Sequence, residues 1–409
     1  MRKSSLSVIF LTVFIDLMGF GILIPILPTF ATKDLGISEF GIGILFASFS
    51  LIQFIFNPIL GKISDKYGRR PVILLSLMST VTSYIIFSFS NSFLLLLISR
   101  ILGGFGGSNI AVAQAYIADI TPKEERSKGM GIIGMAFGLG FVFGPMIGGI
   151  LSKYGYPFTG FASAGFSSIA LIFAFLFLKE TIDVSKTRKQ PFKNRKIFDL
   201  EYTYKTLKHP DVGLLILLFF VITFSGANIY GTFALLGYKI YHMSNQQIGY
   251  QFGIMGVVGA IIQGGFIRML TEKYSEKALI LAGAFIMIFG LGLLPYGGNF
   301  LGLAIVISVL AIGSGIIQPV VLSMISKYSS EHEQGTILGL NQSLSALARV
   351  LGPLWGGFAF EFIGYQFPFI TGAAFMVVTF LFSIKYIKAD KYSKSGKDSM
   401  VYKKVESEI

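Results

Sequence analysis

Long apolar stretches dominate the chain, and short polar turns separate them. A helix that crosses a membrane needs about 20 predominantly apolar residues, and twelve stretches have about this length. They lie at positions 7–30, 40–60, 71–89, 93–118, 129–152, 157–178, 211–235, 247–268, 277–295, 300–326, 335–359 and 367–387. The pattern therefore predicts twelve membrane-spanning helices.

The distribution of Lys and Arg predicts which side of the membrane each turn faces. Alternate turns, beginning with the one between the second and third stretches, carry almost all of these residues, as do both termini. The other turns and span ends hold only Lys33, Lys153 and Lys239, while Arg100 and Arg349 fall inside spans. Because cytoplasmic loops are enriched in Lys and Arg, we expect a multi-pass protein of the cell membrane with both termini cytoplasmic.

The composition agrees with a membrane protein and excludes several other classes. The chain is 53% hydrophobic and only 13% charged, and its mean hydropathy is +0.70. Its net charge of +13 is explained by the cytoplasmic turns, so we expect a lipid bilayer and no nucleic acid as a partner. Without cysteine, and with His209, His242 and His332 all in turns or at span ends, the chain is expected to hold no metal.

The two halves of the chain repeat each other. The sequence GPMIGG at 144–149 recurs as GPLWGG at 352–357, and SDKYGRR from Ser64 recurs as TEKYSEK from Thr271. Repeated six-span halves of this kind place a substrate path at their interface. The predicted units are an N-terminal six-helix bundle (1–178), a cytoplasmic linker (179–208), a C-terminal six-helix bundle (209–388) and a cytoplasmic tail (389–409).

Several motifs resemble those of the major facilitator superfamily. They are GKISDKYGRRPVIL (61–74), LLISRILGGFGGSNIA (96–111), GLGFVFGPMIGG (138–149) and FIDLMGFGILIPILP (14–28). The third resembles the motif associated with antiporters, and the fourth looks like that of the twelve-span drug:proton antiporter branch. NIYGTFALL (228–236) and IGYQFGIMGVVGAIIQGG (248–265) look most like tetracycline-efflux proteins. Those proteins usually have an acid where Asn228 stands here, which argues against tetracycline itself.

This resemblance implies an all-α membrane fold of twelve transmembrane helices in two pseudosymmetric six-helix bundles. It also implies export of small lipophilic molecules in exchange for protons by alternating access, with no cofactor besides the coupling ion. The short loops and the full set of twelve spans favour a functional monomer over a loose dimer. An alternative is transport of an endogenous metabolite (a sugar, siderophore or lipid) in the same fold, with or without protons. We expect no enzyme, because no Ser-His pair or metal cluster is evident and the GGFGG run lacks the Lys-Ser/Thr of a phosphate loop.

Asp16 and Arg100 are the candidates for proton coupling. Asp16 lies about ten residues, or roughly 15 Å, into the first span. A carboxylate at this depth is unfavourable unless it is protonated, paired or in contact with water. The resemblance gives Arg100 a role in proton transfer and makes Asp16 its candidate partner. The structural alternatives are an acceptor for a neighbouring helix and a tie between spans.

The resemblance assigns two further groups of residues to the transport cycle. Gly61, Asp65, Gly68 and Arg69 match a gate in which the aspartate and arginine lock the halves together on the cytoplasmic side. The second copy of this turn is degenerate, so no symmetric gate is expected. The antiporter motif comprises Gly140, Gly144, Pro145, Gly148 and Gly149. It combines a helix-kinking proline with a small-residue face that is expected to seal the halves against leak.

Polar side chains within spans are the candidates for substrate binding, because amides at membrane depth either hold helices together or line a cavity. Arg349 has no charged counterpart in the first half and is a candidate contact for an anionic or metal-chelating group, or else a packing residue. The predicted substrate-binding residues are Asn109, Gln114, Asn228, Gln251, Gln318, Gln342 and Arg349.

Overall fold

The computed structural model describes residues 2–121, 126–182, 200–329 and 334–387, and these residues are almost entirely helical. Six helices form the first half. They are α1 (Arg2–Leu23, continued by Ile26–Lys33), α2 (Glu39–Tyr67), α3 (Arg69–Ser88), α4 (Phe93–Gly107, continued by Asn109–Ile120), α5 (Arg126–Leu151) and α6 (Tyr156–Phe177).

Six helices also form the second half. They are α7 (Val212–Ala227, continued by Ile229–Leu235 and a π-helical turn at Leu236–Ile240), α8 (Asn245–Ile261, with a π-helical turn at Ile262–Phe266 and the last turns at Ile267–Lys273), α9 (Glu276–Leu293), α10 (Phe300–Lys327), α11 (Gln334–Phe362) and α12 (Phe367–Tyr386). A short helix, Leu200–Lys208, lies within the predicted linker. The rest of that linker from 183 to 199, and the predicted tail, fall outside the described residues.

The predicted set of twelve spans is present in two bundles. Eleven helical segments among the described residues are long and apolar enough to cross a membrane by themselves. The twelfth, α11, is 29 residues long and less apolar, because Asn341, Gln342 and Arg349 interrupt it. A polar helix of this length is tolerated in a membrane when its polar side chains face the bundle interior or a cavity.

Local sequence explains where the helices begin and break. The side chain of Ser38 accepts from the backbone N–H of Gly41 at the start of α2, and Ser244 and Gln247 form a capping box at the start of α8. Pro25 separates the two parts of α1, because it lacks a backbone donor. The break in α4 falls at Ser108, directly before Asn109, and the break in α7 falls at Asn228.

The two halves contact each other at one end of the molecule, which we call the far end. The opposite end, which carries the N-terminus and the α2–α3 turn, is called the linker end. At the far end α2 packs against α11, and α5 packs against α8. A Cβ added to Gly43 would lie 2.4 Å from the carbonyl oxygen of Pro353, and one added to Gly249 would lie 2.4 Å from that of Pro145. The two glycine–proline contacts are related by the repeat and allow close backbone approach.

The halves separate towards the linker end. Along α8, Gly253 and Gly256 still touch Met146 and Val142 of α5, but a Cβ on Gly259 would meet nothing within 4 Å. A Cβ on Gly61 of α2, on Gly138 of α5 or on Gly339 of α11 would likewise meet nothing within 4 Å. The molecule is therefore closed at the far end and open at the linker end.

Polar contacts reinforce the closed end. Lys239 at the end of α7 forms an ion pair with Glu39 at the start of α2. The backbone N–H of Phe40 donates to Glu361 Oε2 at 2.8 Å, so a carboxylate from α11 caps α2. Contacts of this kind between the first and second halves hold the far end shut, and they must break if that end opens.

Candidate functional site

Asp16 lies in the interior of the first half and is bound by two neutral donors. Its side chain is only 7% exposed. Asn109 Nδ2 donates to Asp16 Oδ2 at 2.9 Å, and Ser167 Oγ donates to Oδ1 at 2.7 Å. These donors come from α4 and α6, and Asn109 is the first residue after the break in α4. A carboxylate with only neutral partners is not committed to its charged form by an ion pair.

Arg100 does not pair with Asp16, contrary to the candidate pairing in the sequence analysis. Among the described residues Arg100 has no ion pair, and its Nη2 donates weakly to Ser99 Oγ at 3.4 Å. The guanidinium lies 6.0 Å from the centre of the Phe87 ring, a cation–π distance. Tyr84 is buried within electrostatic range of both Asp16 and Arg100. No hydrogen bond or ion pair between described residues joins Asp16 to Arg100, and Tyr84 of α3 lies near both.

Ser167 was not predicted, and Asn109 was predicted in a different role. A serine in the middle of an apolar span is often a within-helix hydrogen-bond donor, so Ser167 carried no distinguishing signal. Asn109 was a candidate for substrate contact, but its amide nitrogen is bound to Asp16. In this structure Asn109 positions the carboxylate of Asp16.

The two charged residues of the predicted gate, Asp65 and Arg69, belong to one charged cluster at the linker end. Arg69 Nη1 pairs with Asp65 Oδ1 at 2.6 Å, and Arg69 Nε pairs with Asp119 Oδ2 at 3.0 Å. All of these residues belong to the first half. In this open arrangement the cluster therefore fastens α2, α3 and α4 to one another and does not bridge the halves.

Glu180 completes this cluster and was not predicted. Its carboxylate accepts from the backbone N–H groups of Arg69 at 2.9 Å and Arg70 at 3.1 Å, which caps the N-terminus of α3. Gly68, at the turn, has φ of +100° and ψ of 154°, a conformation available essentially only to glycine. In the second half Ser275 caps α9 with its own side chain, so the two copies of the turn use different caps.

The antiporter motif has two faces with different partners. A Cβ on Gly140, Gly144 or Gly148 would meet α1, at Leu17, Gly21 and Ile22 respectively. The small-residue face expected to seal the halves thus packs within its own half. The contact across the halves is made instead by Pro145, against Gly249, and by Gly149, against Asn245. This corrects which residues of the motif form the seal.

A cavity of about 180 Å³ lies in the second half between α7, α10 and α11. Its lining residues are Phe219, Thr223, Gly226, Ala227, Tyr230, Gln318, Gln342, Ser345 and Arg349. Three of the predicted substrate-binding residues, Gln318, Gln342 and Arg349, therefore meet around one space. Arg349 is the one charged residue in this lining, and Tyr230 lies within electrostatic range of it.

The remaining predicted substrate contacts lie elsewhere. Asn228 and Gln251 are fully buried. Asn228 donates to the Pro368 carbonyl, and Gln251 Nε2 donates to the Phe300 carbonyl at 2.7 Å. These bonds fit ties between helices better than substrate contacts. Gln114 is exposed and is not among the residues that line the cavity.

Comparison with known proteins identifies the family. The family model of the Major Facilitator Superfamily matches residues 9–353 and 215–401. The chain belongs to this superfamily. The match covers both six-helix halves, in agreement with the repeat.

Relatives of the chain carry names of efflux and transport proteins. The chain is 28% identical to tetracycline resistance protein, class H, of Pasteurella multocida over 95% of its own length and 96% of the relative's. It is 28% identical to multidrug resistance protein 2 of Bacillus subtilis (strain 168) over 92% and 94% of the two chains. It is 29% identical to major facilitator superfamily domain-containing protein 10 of Homo sapiens over 93% and 92%.

Solved structures show the same fold. The structure of the human organic anion transporter MFSD10 (TETRAN) aligns over 93% of this chain and 99% of that one, with 27% identity and a TM-score of 0.71. A bacterial homologue of the human lysosomal transporter Spinster, described as inward-facing and unoccupied, aligns over 94% and 98% with a TM-score of 0.73 at 15% identity. At 15% identity, the similarity to the Spinster homologue supports only the fold.

Proposed function

We propose that the protein is a proton-coupled antiporter that exports small lipophilic molecules by alternating access. The observation that carries the proposal is the environment of Asp16. It is a buried carboxylate within a membrane-spanning helix, and it is held by Asn109 and Ser167 rather than by a cation. Protonation cancels a charge that is costly at this depth, so the two protonation states favour different arrangements of the helices around Asp16.

The orientation follows from the charges of the linker end. The sequences of the α2–α3 turn and of the linker (179–208) are rich in Lys and Arg, which is typical of a cytoplasmic face. With this orientation the open end faces the cytoplasm and the closed far end faces outward. The substrate enters from the cytoplasm, and the far end opens after the linker end closes. The cell membrane as the location is part of the same proposal.

The relatives support a lipophilic substrate. The names of the bacterial relatives refer to tetracycline and to multiple drugs, and MFSD10 is described as an organic anion transporter. These names do not favour the alternative of a sugar, siderophore or lipid. A monomer suffices for the proposed cycle, since one chain supplies both halves and the seal between them.

The experiment uses the purified full chain in liposomes that contain a pH-sensitive dye. Ethidium, norfloxacin, tetracycline and dansylglycine are the probes, and a pH gradient is imposed across the membrane. We expect at least one probe to be transported faster with the gradient and to move protons in the opposite direction. Asp16→Asn is expected to abolish the proton movement. Glu272→Gln, which removes a carboxylate that is 65% exposed at the end of α8, is the matched control and should behave as the parent.

Two results would overturn the proposal. One is transport of a probe at a rate that is independent of the pH gradient in the parent protein. The other is proton movement in Asp16→Asn at the parental rate, since the coupling carboxylate would then lie elsewhere. Substrate-for-substrate exchange by Asp16→Asn without a gradient shows that the variant is folded, and it separates lost coupling from lost structure.

A further inference from the structure

The cavity in the second half has the chemistry of an anion site. Arg349 presents a guanidinium to it, and among the described residues this group has no ion pair and no hydrogen bond. An arginine without a counter-charge at membrane depth is unfavourable. A solvated cavity makes it tolerable, and an entering anion supplies the missing charge. The guanidinium also has a planar fork of donors that suits an oxyanion such as a carboxylate or sulfonate.

Neutral polar side chains surround Arg349 in the cavity. The side chains of Gln318, Gln342, Thr223 and Tyr230 line the same cavity, and none has a hydrogen bond to another described residue. The hydroxyl of Ser345, by contrast, donates to the Asn341 carbonyl within α11. The side chain of Gln342 is exposed, and those of Gln318, Thr223 and Tyr230 are partly exposed. Their polar groups are therefore available to a ligand that enters beside the arginine.

The rest of the lining is apolar and leaves room for a ring. Phe219 and Ala227 contribute to the wall, and a Cβ on Gly226 would meet nothing within 4 Å. The volume of about 180 Å³ is that of roughly six water molecules. It is below the range of about 300–1,000 Å³ typical of drug-sized pockets. It fits the charged end of a molecule, and the remainder would extend into the open space between the halves.

Asp16 does not serve as the counter-ion of Arg349. It belongs to the other half, and its oxygens are bound by Asn109 and Ser167. The charge that couples transport and the charge that faces the second-half cavity are thus separate. A cationic substrate would be repelled by Arg349, whereas an anionic one would neutralise it.

We infer that this cavity binds the anionic group of an amphipathic organic anion, with Arg349 as the charge partner. Gln318, Gln342 and Tyr230 supply the neutral contacts. The inference rests on the proposed transport function and narrows its substrate class to aromatic carboxylates and sulfonates. It assigns specificity to one half of the molecule and proton coupling to the other.

The test measures equilibrium binding to the purified full chain by isothermal titration calorimetry in detergent. The probes are naphthalene-2-carboxylate and naphthalene-2-sulfonate, with neutral naphthalene-2-carboxamide and cationic 2-naphthylmethylammonium as size-matched comparisons. We expect the anions to bind about tenfold or more tightly than the amide, and the cation to bind least. The ratio of affinities, rather than the affinity alone, is the readout, because a merely structural arginine would not change it.

Three variants separate charge from structure. Arg349→Gln should remove the preference for anions, and Arg349→Lys should retain part of it. Gln318→Glu places a carboxylate beside the arginine and should abolish the preference while Arg349 is still present. Arg268→Gln, at a side chain that is 88% exposed, is the control for loss of a positive charge elsewhere. A parental anion-to-amide ratio in Arg349→Gln, or equal binding of anion and amide by the parent, would overturn the inference.

Failure of this inference and failure of the proposed function give different results. If anions bind selectively but Asp16→Asn couples protons as well as the parent, the anion site stands and the proton-coupling proposal falls. If ethidium drives proton movement while the naphthalene anions do not bind, antiport stands and the anion site falls. Asp16→Asn itself should bind naphthalene-2-carboxylate within about threefold of the parent.

Discussion

Three ionisable residues within spans, Asp16, Arg100 and Arg349, have different environments. Asp16 is held by neutral donors, and Arg100 lies among Ser99 and the Phe87 ring. Arg349 faces a cavity. A charge at membrane depth is retained when it faces the bundle interior, a partner or water. The environments of Asp16 and Arg349 fit the roles proposed for them, which are proton exchange and recognition of a substrate charge.

At this scale we predict that Asn109→Ala impairs coupling and leaves substrate binding in place. The change removes one of the two donors to Asp16, and a hydrogen bond to a charged group is worth about 1.5–3 kcal/mol. We expect proton-driven transport in liposomes to fall about tenfold or more, while equilibrium binding of the transported probe changes less than about threefold.

The neighbouring residue supplies the control for this prediction. Ser108→Ala alters the same break in α4, but the Ser108 hydroxyl donates to the Gly104 carbonyl in its own helix. It should transport at close to the parental rate. A parental rate in Asn109→Ala would contradict the positioning role, and a large loss of binding would return Asn109 to the substrate site.

The sequence predicted the ionisable residues better than their partners. A carboxylate deep in an apolar span is conspicuous, so Asp16 was identified from its position alone. Its partners are 93 and 151 residues away, and no local pattern marks that pairing. Glu180 was missed for a related reason. Its capping role depends on how the end of α6 meets the start of α3, which periodicity does not reveal.

At the scale of helices, the repeat predicted the elements but not the faces that they use. Both copies of the proline-glycine motif contact the opposite half through a proline carbonyl, as the symmetry of Gly43 and Gly249 shows. The glycine face of α5 packs instead against α1. Small residues at helical spacing indicate that another helix is close, but the spacing does not say which helix.

The α2–α3 turn carries a prediction about stability. Gly68→Ala should destabilise the protein, because the backbone there has φ of +100° and a Cβ would lie 2.3 Å from the Glu180 carboxylate. Strain in this backbone region costs about 1–3 kcal/mol, and displacement of the Glu180 cap adds to it. We expect a lower thermal midpoint for the purified protein in detergent.

Gly61→Ala is the matched control within the same motif. A Cβ at Gly61 would meet nothing within 4 Å, and the residue lies inside α2. Alanine favours a helix over glycine by roughly 1 kcal/mol, so the midpoint should stay the same or rise. A midpoint of Gly68→Ala equal to that of Gly61→Ala would show that neither the strain nor the cap stabilises this turn.

At the scale of the whole molecule, the number and grouping of the spans were predictable and the conformation was not. The lengths of the apolar stretches indicate the helices, the distribution of Lys and Arg indicates which side of the membrane each turn faces, and the recurring motifs indicate the repeat. These features do not depend on the conformation. They are identical whether the far end or the linker end is closed, because both arrangements use the same sequence. A protein that exchanges between two conformations typically has states that differ by only a few kcal/mol. Contacts such as those of Lys239 and Glu361 are needed to tell which end is shut.

Because the two conformations are close in free energy, the loss of a single contact at the far end should shift their populations measurably. Lys239→Gln breaks the ion pair with Glu39 that crosses the halves. A partly exposed pair contributes about 0.2–1 kcal/mol, which corresponds to a shift of about 1.5- to 5-fold towards the form open at the far end. The chain has no cysteine, so Gln342→Cys, at an exposed side chain that lines the cavity, gives a single labelling site. Its reaction with an impermeant maleimide added from the far side should rise by about that factor, while reaction from the linker side stays near the parental rate because the linker-open form still predominates.

The control is an ion pair that does not cross the halves. Lys327→Gln breaks the contact with Glu276, which joins α9 and α10 within the second half. Both arrangements keep that contact, so its loss should leave the labelling rates unchanged. The exchange Glu39→Lys with Lys239→Glu should restore the parental far-side rate, because the pair is re-formed with opposite polarity. If Lys327→Gln shifts the rates as much as Lys239→Gln, the effect comes from lost charge and not from the contact across the halves. The far-end pair would then have no part in setting the conformation.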